Sequence, residues 1–175
     1  MRIKDKSFKI LIKDEDLQAR IKKMANQINK DYKDREPLFI GILNGCFMFI
    51  SDIMKEIKLP AKISFIKLAS YTEMVSSGAV KELIGLNENI FKKDVIILED
   101  IIDSGNTIAS VIDAFKERGA ASVSIATLLL KPEALKTEVE IKYVGFEIGN
   151  EFVVGYGLDY DGLGRNSRDI YQLKS

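Results

Sequence analysis

A buried strand, a polar turn and the start of a helix follow one another without a break between residues 95 and 115. Val95 to Leu98 is a continuous apolar run, which is typical of a strand buried on both faces of a parallel sheet. From Ile108 the apolar residues recur at helical spacing, and Gly119 is placed to end that helix. Three carboxylates lie where the strand meets the helix: Glu99, Asp100 and Asp103. This stretch predicts an α/β fold with a polar site at one edge of the sheet.

The turn Asp103-Ser-Gly-Asn-Thr107 suits a phosphate group. Backbone N–H groups at a helix start point outward and the helix dipole favours an anion there. The carboxylates would repel a bare phosphate, so we expect a ligand that also brings hydroxyl groups and a positive centre, such as a sugar phosphate whose anomeric carbon becomes cationic. The turn is neither a Walker P-loop nor a dinucleotide fingerprint. An ordinary strand-to-helix turn capped by an Asp or Ser side chain is the simpler alternative.

The segment Ile96-Ile-Leu-Glu-Asp-Ile-Ile-Asp-Ser-Gly-Asn-Thr107 resembles the phosphoribosyl pyrophosphate signature of the purine phosphoribosyltransferases, and among them that of the hypoxanthine-guanine enzymes. The resemblance implies one domain over residues 1–175 with the type I phosphoribosyltransferase-like fold. In that fold a mostly parallel twisted sheet, flanked by helices, forms a core at about 36–140. A small hood is expected from about 1–14 and 141–175.

The implied activity is transfer of the 5-phosphoribosyl group from phosphoribosyl pyrophosphate to N9 of hypoxanthine or guanine. The products are IMP or GMP and pyrophosphate, and Mg²⁺ on the pyrophosphate is the implied cofactor. The resemblance assigns the ribose hydroxyls and the metal to Glu99 and Asp100. It assigns catalysis to Asp103, facing N7 of the base. It assigns binding of the 5-phosphate to the whole turn: Asp103, Ser104, Gly105, Asn106 and Thr107. No local argument separates the roles of the three acids.

A second loop follows the predicted strand Leu38 to Leu43 and precedes a predicted helix from about Cys46 to Ile57. The resemblance implies a cis peptide between Leu43 and Asn44 and contact of Leu43, Asn44 and Gly45 with the pyrophosphate. Many relatives have lysine where this chain has Asn44, which removes one possible charge contact. A simple Asn-Gly tight turn is the alternative.

The chain after the predicted strand Ile63 to Leu68 has no clear period between about residues 72 and 80. Such segments are often lids. The pair Ser70 and Tyr71 matches the serine–tyrosine pair of the mobile loop of the resembled family. A solvated surface loop is the alternative, and residues 81–86 are expected to return as a strand.

The remaining site residues lie in the last third of the chain. Lys131 follows a predicted strand from Ser122 to Leu130 and matches the family lysine that binds the six-oxo group of the purine. An ordinary surface lysine is the alternative. The Gly-rich C-terminal region resembles the base-binding hood of the family, which implies that Phe152 stacks on the purine and that the Val153 backbone forms hydrogen bonds to its edge. By the same resemblance Asp159 lies at the base site and contacts magnesium, and Arg165 contacts the pyrophosphate.

Composition restricts the other possibilities. The 26 basic and 26 acidic residues balance, which gives no electrostatic signature for nucleic acid or an anionic membrane. The absence of histidine excludes histidine-ligated zinc sites and serine–histidine triads. One cysteine and no signal-peptide pattern indicate a cytoplasmic location. A homodimer or homotetramer is expected from the resemblance. Two other functions stay open: a transferase that prefers xanthine or adenine, and a non-catalytic, nucleotide-responsive regulator on the same fold.

Overall fold

The chain forms two sheets within the residues that the structure, a computed structural model, describes: 1–68 and 83–174. The strands are β1 (Arg2–Ile3), β2 (Lys6–Ile12), β3 (Leu38–Leu43), β4 (Lys62–Leu68), β5 (Leu83–Ile84), β6 (Asp94–Ile102), β7 (Ser122–Leu130), β8 (Tyr143–Glu147), β9 (Val153–Val154) and β10 (Ile170–Leu173). The helices are α1 (Asp14–Asp31), α2 (Phe47–Glu56) and α3 (Asn106–Glu117), with a short 3₁₀ turn at Pro132–Ala134. The predicted lid residues Ser70 and Tyr71 lie outside the described residues.

The larger sheet has the strand order β5-β4-β3-β6-β7-β8. Five of its strands are parallel, and β5 pairs antiparallel with β4 at the edge. The chain adds β4 on one side of β3 and then returns to add β6 on the other side. The order therefore reverses between β3 and β6, and the crevice at their carboxyl ends is where open α/β sheets bind ligands. The expected α/β fold with a mostly parallel sheet flanked by helices is confirmed.

Helices cover both faces of this sheet because each strand alternates its side chains between two cores. Phe39, Ile96 and Leu98 point to the face covered by α1 and α2. Ile40 and Ile97 point to the opposite face, against the apolar stripe of α3. The apolar stripe of α1 is fully buried: Leu17, Ile21, Met24 and Ile28. Burial on both faces explains why the central strands read as unbroken apolar runs.

The predicted bounds of β3 and β7 agree with the structure, those of β4 and α2 agree within one residue at each end, and β6 and α3 differ more. Strand β6 runs on to Ile102, beyond the expected end at Leu98, so two of the three acids lie on a strand. This extension is held by the parallel register with β7, in which Ile102 faces Leu130. Helix α3 begins at Asn106, two residues before its first apolar position. Of the expected strand at 81–86, the described part contains β5.

The smaller sheet forms the hood, with the order β1-β2-β10-β9. Its first two strands come from the start of the described chain and β10 from its end. The expected hood boundary near residue 141 is too early, because β8 pairs in parallel with β7 and so belongs to the larger sheet. The guanidinium of Arg20 in α1 also donates to the carbonyls of Val144 and Gly145, both at 2.6 Å. In the described chain we find no helix with the length and apolarity needed to cross a membrane.

Candidate active site

The loop after β3, the end of β6 and a hood loop approach one another at the crevice between β3 and β6. A side chain at Gly45, in the loop between β3 and α2, would overlap the Asp100 carboxylate at the end of β6. A side chain at Gly157, in the hood, would overlap the carbonyl oxygen of Gly45. The guanidinium of Arg165 donates to the Gly157 carbonyl oxygen at 2.7 Å. The hood is therefore in direct backbone contact with the loop after β3, and that loop packs against the Asp100 side chain.

The turn after β6 presents backbone N–H groups to an open cavity. Gly105 has φ of 79° and is the N-cap of α3, a left-handed conformation that glycine adopts without strain. In the chain as described, no side chain caps this helix start, so its first N–H groups are free for a ligand. A cavity of about 150 Å³ lies there. It is lined by Ile42, Glu99, Ile101, Ile102, Asp103, Ser104, Gly105, Thr107 and Ile108.

Asn106 differs from the other predicted members of this turn. Its Oδ1 accepts a hydrogen bond from the Thr137 hydroxyl at 2.6 Å, which turns the side chain away from the cavity. The Ser104 carbonyl oxygen accepts a bond from the Lys136 N–H at 3.0 Å, so the segment after β7 supports the turn from behind. Sequence reasoning missed this support because nothing in residues 135–137 signals it.

Burial dominates the electrostatics of the two acids at the end of β6. One carboxylate oxygen of Glu99, Oε2, is buried and has no hydrogen-bond partner among the described residues. Burial raises the pKa of Glu99 well above its ordinary value, and the charge of Asp100 raises it further. Burial also raises the pKa of Asp100 to about 6, against a bond from the Ile101 N–H that lowers it. A cation in the crevice would relieve both carboxylates.

The hood places Asp159 and Arg165 beside these acids. Asp159 Oδ1 accepts from Arg165 Nη2 at 2.6 Å, and its Oδ2 accepts from the Gly162 N–H at 2.7 Å. The charge of Arg165 lowers the pKa of Asp100 and that of Asp159 raises it, so both residues lie near Asp100. Across residues 1–68 and 83–174, no three potential ligands converge into a preformed metal cage. That arrangement is compatible with Mg²⁺, which is usually held by one or two carboxylates together with substrate phosphates and water.

Lys131 and Asp103 form an ion pair that the sequence did not predict as a contact. Lys131 Nζ lies 3.1 Å from Asp103 Oδ2. The lysine side chain is 11% exposed whereas the aspartate is 58% exposed, so the ammonium group is held inside and the carboxylate faces the crevice. This burial argues against the ordinary surface lysine.

The hood carries a partly exposed aromatic group. Phe152 is 43% exposed, and its ring is braced by Phe8 at 6.4 Å and by Tyr160 at 5.9 Å between centroids. Val153 begins β9, an edge strand whose backbone is unpaired on one side in the described residues. Sequence reasoning missed Phe8, although the alternation of Phe8, Ile10 and Ile12 signals a strand. It also missed the Lys6 ammonium group, which lies 4.6 Å from the Tyr160 ring centroid.

The peptide bond between Leu43 and Asn44 is cis, as the resemblance implied. Leu43 packs against the core on the α2 side, and Asn44 and Gly45 form the turn into α2.

The comparisons with known proteins agree on one family. The phosphoribosyl transferase domain model matches residues 11–161. Hypoxanthine-guanine phosphoribosyltransferase of Staphylococcus epidermidis is 44% identical over 169 residues, covering 95% of this chain and 93% of that protein. The bifunctional protein TilS/HprT of Listeria monocytogenes is 42% identical over 95% of this chain, which spans only 26% of that longer protein. A crystal structure of a hypoxanthine-guanine phosphoribosyltransferase from Bacillus anthracis superposes with a TM-score of 0.90 at 39% identity, covering 96% of this chain and 100% of that one. The chain belongs to the phosphoribosyltransferase family.

Proposed function

We propose that the protein transfers the 5-phosphoribosyl group from phosphoribosyl pyrophosphate to N9 of hypoxanthine or guanine. The products are IMP or GMP and pyrophosphate. The names of the relatives support the activity. The observation that carries it is the Lys131–Asp103 pair, 3.1 Å apart and next to a cavity at a helix start. O6 and N7 are neighbouring acceptor and proton-bearing positions on an oxopurine, so adjacent ammonium and carboxylate groups match them.

In this proposal the purine base is bound by the Lys131–Asp103 pair on one side and by the hood on the other. The Lys131 ammonium group, which can only donate, binds the six-oxo acceptor. The exposed face of Phe152 stacks on the purine, and the unpaired side of β9 at Val153 offers backbone hydrogen bonds to the edge of the base. Asp159, pinned by Arg165 and the Gly162 N–H, closes the site at the hood side.

In the reaction, N9 of the purine forms a bond to C1 of the ribose while the bond from C1 to the pyrophosphate oxygen breaks. The electrons of that bond leave with pyrophosphate, and the proton on N7 passes to the Asp103 carboxylate. The free N–H groups at the start of α3, with the Ser104 and Thr107 hydroxyls, hold the 5-phosphate. The charges of Glu99 and Asp100 stabilise the positive charge that develops on the ribose.

We propose that Mg²⁺ is bound through Glu99, Asp100 and Asp159 together with the substrate. The ion, when bound, neutralises charge on the departing pyrophosphate. The orphaned, buried oxygen of Glu99 and the raised pKa of Asp100 support a cation at this point. Leu43, Asn44, Gly45 and Arg165 contact the pyrophosphate in this proposal, and Arg165 would exchange part of its bonding to Asp159 for it. The expected lid role of Ser70 and Tyr71 remains part of the proposal.

We infer a cytoplasmic homodimer or homotetramer. An exposed apolar patch beside Leu43 supports self-association: it is formed by Phe47, Ile63 and Phe65, which are 44%, 40% and 40% exposed. Light scattering coupled to size-exclusion chromatography tests the assembly, and a monomer at micromolar concentration would contradict it.

The activity is tested by measuring pyrophosphate release with four purines: hypoxanthine, guanine, xanthine and adenine. We expect turnover with the first two. Asp103→Asn should keep phosphoribosyl pyrophosphate binding and lose about 10²–10⁴-fold in turnover, because an amide cannot take the N7 proton. Asp113→Asn, an exposed change on α3, is the matched control. A preference for xanthine would show that the protein is a xanthine phosphoribosyltransferase instead. If no base is turned over, a non-catalytic, nucleotide-responsive regulator becomes the better interpretation.

A further inference from the structure

Asp52, on the second turn of α2, joins three parts of the protein. Its Oδ2 accepts a hydrogen bond from the Tyr156 hydroxyl at 2.5 Å and another from Gln18 Nε2 of α1 at 2.8 Å. Its Oδ1 accepts from Lys55 Nζ at 2.8 Å. Burial alone would raise the pKa of Asp52, but these three hydrogen bonds lower it, so the carboxylate is charged at neutral pH. The hood, α1 and α2 therefore share one acceptor.

Tyr156 is buried, with 1% of its surface exposed, and stands in an unusual backbone conformation. Its φ is 50°, and the flanking Gly155 and Gly157 have φ of 96° and 102°. A non-glycine residue at positive φ is strained and persists only where its surroundings hold it. Three hydrogen bonds hold this conformation. The Tyr156 hydroxyl donates to Asp52. The backbone N–H of Tyr156 donates to the Ser167 carbonyl at 2.8 Å, and that of Gly157 donates to the Arg165 carbonyl at 2.9 Å.

The segment that Tyr156 anchors leads directly into the candidate site. Gly157, the next residue, touches the Gly45 carbonyl, and its own carbonyl accepts from Arg165. Asp159, two residues further, pairs with Arg165. On the other side of the contact, α2 starts at Phe47, two residues after Gly45. Both ends of the Tyr156–Asp52 bond thus belong to elements that carry proposed pyrophosphate and metal contacts.

We propose that the Tyr156–Asp52 hydrogen bond is a positioning contact for pyrophosphate and metal binding, which fixes the hood loop 157–165 against the loop between β3 and α2. This inference rests on the proposed function. Neither side chain touches the substrate; the bond acts through Gly157 and Asp159. Without it the strained turn at 155–157 relaxes, and the Gly157–Gly45 contact and the Asp159 carboxylate lose their fixed distance from Asp100.

The experiment compares Tyr156→Phe with Tyr143→Phe. Tyr143 is a matched control because it is also buried and its hydroxyl also donates to an aspartate, Asp31 at 2.7 Å, on α1 and away from the crevice. Both variants should lose similar thermal stability. We expect only Tyr156→Phe to raise the KM for phosphoribosyl pyrophosphate, by roughly fivefold or more, with a smaller change in kcat and in the KM for hypoxanthine. An unchanged KM in Tyr156→Phe, or an equal rise in both variants, overturns the proposal.

Variants at Asp52 separate positioning from a general loss of packing. Asp52→Asn keeps an acceptor for the Tyr156 hydroxyl and should keep the KM within about twofold of the original protein. Asp52→Ala removes the acceptor and should reproduce the Tyr156→Phe effect. If the original protein has no transferase activity, the proposed function fails on its own. Hydrogen exchange then tests the positioning: amides in 157–165 should exchange faster in Tyr156→Phe than in Tyr143→Phe, and equal rates refute it.

Discussion

The protein without bound ligand should become more stable when Asp100 is replaced by asparagine. Burial raises the pKa of Asp100 from 3.8 to about 6, so the folded protein takes up a proton between those two pH values. The contribution of this carboxyl to stability is then complete below pH 3.8 and falls as the pH rises through about 6. Asparagine has the shape of the protonated carboxyl and cannot ionise, so the stability of the variant does not fall with pH at this position.

The size of the effect follows from the pKa change. The gap between 3.8 and about 6 corresponds to about 3 kcal/mol, at about 1.4 kcal/mol for each pH unit. Since Asp100 keeps some contact with solvent, we expect a measured gain of roughly 2 kcal/mol at pH 8. At pH 4 the gain should nearly vanish, because the original carboxyl is then largely protonated in the folded state.

Urea unfolding of metal-free protein at pH 4, 6 and 8 measures this gain. Asp113→Asn is the control, since that exposed carboxyl on α3 should change stability little at any pH. The same Asp100→Asn protein should be nearly inactive as a transferase, because it lacks a proposed ribose and metal ligand. A stability difference that is independent of pH, or a loss of stability at pH 8, would refute the argument that the burial of Asp100 outweighs its stabilisation by Arg165 and the Ile101 N–H.

Three further outcomes are expected. Excess chelator should abolish transferase activity and added Mg²⁺ should restore it; full activity in chelator would remove the metal from the proposal. Lys131→Gln should lower kcat/KM for hypoxanthine and reduce its ratio to kcat/KM for adenine, because an amide can offer either a donor or an acceptor to position six of the purine. If this ratio does not change, the Val153 backbone and not Lys131 recognises position six. Gly157→Ala should destabilise the protein by roughly 2 kcal/mol or more and impair activity, because the added Cβ would overlap the Gly45 carbonyl. Gly162→Ala is the control: Gly162 also has positive φ, but nothing lies within 4 Å of the added Cβ, so the variant should lose only about 1 kcal/mol. Equal losses of stability in urea unfolding would show that the Gly157–Gly45 contact is loose.

The sequence predicted the larger sheet well because its strands carry the strongest local signals. Strands buried on both faces read as unbroken β-branched runs, and β3 and β7 accordingly have the predicted ends. The acidic pair and the polar turn follow a buried apolar run directly in the sequence. Once that run is identified as a strand of a parallel sheet, their position at its carboxyl end can be predicted. The separate roles of the three acids came from the resemblance alone, and they remain predictions.

What the sequence could not supply were contacts between distant segments. The Lys131–Asp103 pair joins the ends of two strands, and its distance depends on the register of β6 and β7. The misplaced hood boundary has the same origin, since the short glycine-containing run at β8 does not reveal which sheet it joins. Tyr156 is buried, and the hydrogen bond from its hydroxyl to Asp52 joins residues 104 positions apart, so no local sequence pattern indicates it.

The pairing of β2 with β10 sets an order in which the site can be completed. These strands are separated by more than 150 positions, whereas β3, β6 and the start of α3 pair and pack within the first 117 residues. On a ribosome, the crevice proposed for ribose and phosphate could form while the end of the chain is still being made. The wall proposed for the base needs β10, because β9 has no strand neighbour among the described residues except β10. A growing chain would therefore acquire the means to bind a sugar phosphate before it could select a purine.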